Sequence, residues 1–257
     1  MSSAFDLDLA LALAELAQRA GKEIMAVYAT DFEVEIKADD SPLTRADRAS
    51  HDLVKAELEK MLPDVPLVSE EGDLPSSEER ARWTRHLLLD PLDGTKEFVK
   101  RNGEFTVNIG IVEGTRPLLG VVHAPAPGLT YLGGPGLGAF RLDDGRPVPV
   151  RALPAPAREA VVVVSRSHPS PELQRYLDAL DSPRTAPHGA AFKFCKLAEG
   201  SAHLYPRLGP TMEWDTAAGQ AILEGAGGAV LTWDGAPLAY NKPDLRNPGF
   251  LARGPLA

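Results

Sequence analysis

From Phe5 to Tyr28 the apolar residues Phe5, Leu9, Leu13, Leu16, Ala20, Ile24 and Val27 recur at steps of three and four, which predicts one long helix with a single buried face. Asp6, Asp8 and Glu15 interrupt the other face, so the segment reads as an amphipathic helix rather than a secretory leader. A second helix is predicted from about Thr44 to Pro63. The period then changes. VPLVS (65–69) and HLLLD (86–90) are short apolar runs of strand length, and FTVNIGIVE, LLGVVHAP and LTYLGG are β-rich and separated by Gly and Pro signals. Up to about residue 150 the pattern predicts paired helices beside an antiparallel meander, an α+β half.

The Pro- and Ala-rich stretch RPVPVRALPAPAREA (146–160) is a candidate linker between two sub-domains, 1–150 and 151–257. Beyond it, VVVVS reads as a fully buried strand and PELQRYLDAL as a helix. Alternation continues with AAFKFCKLAEG helical, AHLYP extended, EWDTAAGQAILEGAG helical and GAVLTW extended. The expected second half is therefore α/β. No internal repeat and no low-complexity tract is present.

Composition adds limits. Of 257 residues, 44% are hydrophobic and 25% charged, the balance of an ordinary folded chain large enough for a sizeable core. A net charge of -9 argues against a nucleic acid polymer or an anionic membrane as general partner, so any phosphate ligand must find its cations or amides locally. No integral membrane segment is expected. Cys195 stands alone and can form no intramolecular disulfide, which makes a reducing, cytoplasmic location the default; loose association with the inner face of the membrane stays open.

Asp47, Glu70, Asp90, Asp93 and Asp215 fall where the pattern predicts strand ends and helix starts. Such oxygen donors suit magnesium or calcium, whereas the six histidines form no close pair of the kind zinc uses. Each acid also has a plainer explanation. Thr44-x-x-Asp47 can be a capping box, Glu70 and Glu71 a solvated surface pair, and Asp215 a residue favoured by the dipole of its own helix. In HLLLDPLDGTKEF the signal is more specific. Two aspartates leave a strand in a Pro-fixed turn, and Gly94 and Thr95 open a short helix whose free amides can meet an anion beside a cation held by Asp90 and Asp93. Two residues separate the acids, one too many for an aspartyl-phosphate motif Asp-x-Asp-Gly-Thr, and Leu92 occupies a position where an EF-hand loop needs oxygen.

The motifs VSEEGD (68–73), DPLDGTKEF (90–98) and WDTAAGQAILEGAGG (214–228), in that order, resemble the inositol monophosphatase superfamily. SPLTRAD (41–47), KEFVKRNGEFTVNIGIV (96–112), VSRSH (164–168) and KFCKLAEGSAHLYPRLGPTMEWDTAAG (193–219) are similar to its CysQ-type 3'(2'),5'-bisphosphate nucleotidase branch. The resemblance implies a layered αβαβα sandwich and a magnesium-dependent phosphatase carrying two or three Mg2+ ions. Glu70, Asp90, Asp93, Asp215 and the main-chain carbonyl of Leu92 would bind the metals, and Gly94 and Thr95 the phosphate. Asp47 and Thr95 would orient and deprotonate a metal-activated water that attacks phosphorus in line, without a covalent enzyme phosphate. Ser165, His168, Gly189 and Lys193 would contact the nucleotide and its non-reacting 5'-phosphate, with Glu70 and Asp215 also bordering the substrate.

The implied reaction removes the 3'-phosphate of adenosine 3',5'-bisphosphate, giving AMP and phosphate, a clearance step in sulfate assimilation. An inositol monophosphatase and a non-catalytic Mg/Ca-binding regulatory protein are the rival readings. The expected partner is a small bisphosphate nucleotide, and the protein a monomer or homodimer. At 190 and 191 the chain has Ala where relatives often carry Ser, so weaker phosphate or ribose contacts are expected there. Cys195 reads as a small buried hydrophobe.

Overall fold

The N-terminal periodicity forms helix α1 (Leu7–Tyr28), which buries Ala10, Leu13, Ala17, Ala20 and Ile24 completely. Asp6 caps it by accepting the Leu9 N–H at 3.1 Å, which satisfies one of the free amides of the first turn. The structure, a computed structural model, describes residues 6–36, 42–166 and 170–256. Among the described residues no helix is long and apolar enough to cross a membrane.

A hairpin of β1 (Val34–Ile36) and β2 (Pro42–Thr44) leads into α2 (Arg45–Met61), which packs along α1. There follow β3 (Leu67–Ser69), α3 (Ser77–Arg80), β4 (Arg85–Asp93), α4 (Thr95–Val99) and β5 (Thr106–Glu113). The meander ends with β6 (Arg116–Ala124), β7 (Leu129–Gly134), β8 (Gly138–Asp143) and β9 (Arg146–Pro149). Strands β3 to β9 make one seven-stranded sheet in sequence order, parallel between β3 and β4 and antiparallel elsewhere. The sheet is buried on both faces. Leu87 and Leu89 join the core under α1 and α2, and Leu88 between them joins the opposite core, as the period of two requires.

The second half runs β10 (Val161–Ser165), α5 (Pro171–Asp178), β11 (Arg184–His188), α6 (Phe192–Ala198), β12 (Leu204–Arg207) and β13 (Thr211–Met212). It closes with α7 (Glu213–Gly225), β14 (Ala229–Thr232), β15 (Arg246–Asn247) and β16 (Phe250–Arg253). Its five-stranded sheet has the order β11-β10-β12-β16-β14, with β10 parallel to both neighbours and β16 antiparallel to both of its own. Alternation again divides the faces, since Val163, Tyr205 and Ala252 pack with α6 and α7 while Val162 and Leu204 pack with Leu177 of α5. The layers are α1/α2, seven-stranded sheet, α6/α7, five-stranded sheet and α5, the αβαβα sandwich that the sequence led us to expect.

Helix α7 of the middle layer lies close against the large sheet. A methyl group on Gly120 would stand 2.1 Å from the Ala218 carbonyl oxygen, and one on its cross-strand partner Gly110 would stand 3.0 Å from the Ala217 Cβ. Only glycine lets the helix seat there. His86, on β4, is fully buried with neither ring nitrogen hydrogen-bonded, and burial lowers its pKa to about 4.

Candidate active site

Three residues along a regular strand put two side chains on opposite faces. Asp90 and Asp93 nevertheless line the same cavity, of about 260 Å3, because the ladder between β4 and β5 is irregular there. Asp90 pairs with Asn108 and Asp93 with Thr106, so three steps on β4 oppose two on β5. The extra residue turns both acids to one side. Asp90 then folds back to accept the Leu92 N–H at 3.0 Å.

Two further acids come from distant parts of the chain. Glu70 follows β3, and its N–H continues the parallel ladder by donating to the Leu89 carbonyl at 3.1 Å. Asp215 sits in the first turn of α7, where one carboxylate oxygen accepts the Met212 N–H at 2.8 Å. Glu70, Asp90 and Asp215 each offer an oxygen within 4.8 Å of the others. Asp90 is buried and the other two are half-buried at the cavity wall. Burial raises the pKa of Asp90 well above the usual carboxylate range, and Glu70, Asp93 and Asp215 push it further. Asp215 is raised in the same way, by burial and then by Asp93 and Glu70. Withdrawn acids that repel one another call for a cation between them, and an all-oxygen set fits a hard divalent ion. The site thus suits the metal that the sequence implied.

Asp93 lies on the same cavity but outside that triad. One of its oxygens accepts the Asn108 side-chain amide at 3.1 Å and the Ala191 N–H at 2.6 Å, which ties the β4 exit to the start of α6. Burial raises its pKa, against the pull of nearby Lys193.

Asp47 caps α2 and also reaches Thr95. One carboxylate oxygen closes a capping box with the Thr44 N–H at 2.7 Å and accepts the Thr44 hydroxyl at 2.6 Å. The other is 3.2 Å from the Thr95 hydroxyl, which stands equally 3.2 Å from the Leu92 carbonyl. Ser50 of α2 donates to the Pro91 carbonyl at 2.7 Å and so fixes the helix to the turn. Gly94 adopts a left-handed φ of 91°, and any Cβ there would meet the Glu104 carbonyl oxygen at 3.0 Å. Gly94 and Thr95 border the cavity beside the acids.

The cavity wall also carries Ser165, Gly189 and Lys193. Gly189 leaves no room for a side chain, since a Cβ would fall 2.4 Å from the Glu104 carbonyl oxygen. Lys193 is buried and donates to the Ala190 carbonyl at 2.7 Å, with Ala190 itself at a left-handed φ of 51°. Burial lowers the lysine pKa to about 8, partly offset by Asp93. His168 lies outside the described residues. Arg166 is drawn into a bidentate pair with Glu104, at 2.6 and 2.8 Å. Sequence reasoning did not find Arg207, Tyr205 or Thr216, which also line the cavity, nor Asn108 behind Asp93. A clue to Arg207 was an isolated cation at the end of the predicted strand AHLYP.

The model of the inositol monophosphatase family matches residues 7–253, and the chain belongs to that family. Within it, the chain is 47% identical over 241 residues to the 3'(2'),5'-bisphosphate nucleotidase CysQ of Escherichia coli K12, covering 92% of this chain and 96% of that protein. Identity to the same nucleotidase of Salmonella typhimurium is 48% over 241 residues, with equal coverage. The crystal structure of CysQ from Bacteroides thetaiotaomicron superposes with a TM-score of 0.85 at 37% identity, over 98% of both chains. An IMPase of Thermotoga maritima shares the fold, with a TM-score of 0.78 at 24% identity over 96% of this chain and 91% of that one.

Proposed function

We propose that this protein is a magnesium-dependent 3'(2'),5'-bisphosphate nucleotidase that hydrolyses the 3'-phosphate of adenosine 3',5'-bisphosphate to AMP and phosphate. The observation that carries the reading is one cavity lined by converging acids, by Thr95, which meets Asp47 behind it, and by the cations Lys193 and Arg207. Likeness to the CysQ nucleotidases along nearly the whole chain supports the substrate class.

Glu70, Asp90, Asp93, Asp215 and the Leu92 carbonyl would hold two or three Mg2+ ions. Bound there, the ions would acidify water and neutralise charge on the phosphate and the departing sugar oxygen. Thr95 accepts a proton from the attacking water through its hydroxyl oxygen while its own hydrogen passes to Asp47, whose other oxygen is anchored by Thr44. The amides of Gly94 and Thr95 receive the reacting phosphate. Ser165, His168, Gly189 and Lys193 hold the nucleoside and the 5'-phosphate, with Arg207 as a second cation on that wall and Glu70 and Asp215 at the sugar edge. A protein of net charge -9 needs such a local cationic wall to admit a bisphosphate. A cytoplasmic setting and a division near residue 150 into two sub-domains belong to the same proposal.

Phosphate release across adenosine bisphosphates, inositol phosphates and fructose bisphosphate, with and without Mg2+, tests it. The adenosine 3',5'-bisphosphate should be the preferred substrate and the reaction should need the metal. Faster turnover of an inositol phosphate would overturn the substrate assignment.

A further inference from the structure

The segment 239–247, AYNKPDLRN, returns across the N-terminus of α7, and nothing in the site described above employs it. Glu213, the first residue of α7, is fully buried, and its carboxylate accepts the Asn241 N–H at 2.7 Å, the Lys242 N–H at 3.0 Å and the Lys242 ammonium at 2.6 Å. The ammonium spends its other bonds on the Ala239 carbonyl and the Asn247 side-chain oxygen, both at 3.0 Å. That second bond fixes which way the Asn247 amide points. Its nitrogen donates to the Met212 carbonyl and the Thr216 hydroxyl, both at 2.9 Å. The backbones are also paired, Met212 with Arg246 and Thr211 with Asn247, and the Glu213 N–H donates to the Leu245 carbonyl at 3.0 Å.

Met212 is the residue whose N–H holds Asp215, and Thr216 follows Asp215 on the cavity wall. The strap therefore grips the chain on both sides of that aspartate. A buried ion pair adds little stability over a well-packed apolar pair, whereas it does impose one geometry on its neighbours. We propose that Lys242 and Asn247 are positioning residues that aim the Asp215 carboxylate at Glu70 and Asp90. This rests on the reading of Asp215 as a magnesium ligand. Neither residue is among those that line the cavity.

The test is Mg2+ affinity of the whole protein without substrate, by calorimetry, well below each variant's melting temperature. Asn247→Ala and Lys242→Met should weaken Mg2+ binding about tenfold or more, the usual effect of losing a partner that orients a metal ligand. Lys242→Arg should restore most of it. Lowered melting temperature with wild-type Mg2+ affinity in both variants would reduce the strap to a plain structural clamp and overturn the proposal. Should Lys242→Met not fold, Asn247→Ala, which breaks no ion pair, decides alone. Asp215→Asn is the control: if it too left Mg2+ affinity unchanged, the metal reading of Asp215 would fall, and this inference with it.

Discussion

Glu213 and Asp215 share the first turn of α7, two residues apart, and both are withdrawn from bulk water, Glu213 completely and Asp215 at the cavity wall. Glu213 is met by an ammonium and two backbone amides of its own chain. Asp215 is met by one amide, by other acids that push its pKa up and, more weakly, by Arg207. Both are carboxylates in one helical turn, and the difference lies in what surrounds them. An acid paired with an ammonium serves the fold, and acids that converge and repel one another suit a cation from outside.

The largest expected effect breaks the first half of this contrast. Glu213→Ala leaves Lys242 and two amides without their acceptor and should cost about 3–5 kcal/mol in denaturant unfolding, with or without Mg2+. Next comes Asp47→Asn, which keeps the acid triad but removes the proton acceptor. Phosphate release should fall about a hundredfold or more, about 2.7 kcal/mol in the barrier, while calorimetry still shows Mg2+ binding. Unchanged turnover would remove Asp47 from the chemistry.

Asp90→Asn should act on stability with the opposite sign to Glu213→Ala. The folded-state pKa of Asp90 lies above its unfolded value, so in metal-free protein its ionised form opposes folding, and stability is lost as pH rises through the folded value. The amide should therefore raise metal-free stability at neutral pH by about 2 kcal/mol and abolish the stabilisation that Mg2+ gives the wild type. A fall in metal-free stability would break the contrast.

The smallest effect concerns a buried group outside both clusters. His86 has a folded pKa of about 4, below its usual value, so the unfolded chain takes up the proton first and stability falls as pH drops from about 6.5 toward 4. His86→Leu should make unfolding less pH-dependent by about 1 to 2 kcal/mol between pH 7 and 5. An unchanged slope would assign the acid sensitivity elsewhere.

Much of this was legible in the sequence where one local rule dominated. The three- and four-residue steps predicted α1, the run from Thr44 foreshadowed α2, and the β-rich segments gave β5, β6 and β7 their antiparallel order. Acids at strand exits pointed to hard-cation chemistry, and Glu70, Asp90 and Asp215 do converge. What stayed hidden depended on irregular or distant pairing. The offset between β4 and β5 that brings Asp90 and Asp93 to one side has no mark in DPLDGT beyond its proline. Asn108 is one polar residue in the apolar run FTVNIGIVE, and its meaning comes from Asp93, fifteen residues away. The strap carries no signal of its own, because a lysine that finds a buried partner 29 residues upstream is indistinguishable, in one dimension, from a solvated one.

The seat of α7 on Gly110 and Gly120 carries one more consequence. Asp215 is mounted on that helix, whereas Asp90 is mounted on the sheet beneath it, so the spacing between them is governed by how far the helix stands off the strands. A single methyl at Gly120, 2.1 Å from the Ala218 carbonyl, would act as a shim, lifting the mount and opening the gap between acids it never touches. The calibration of the site is thus kept by a missing atom, in a place where no ligand ever arrives.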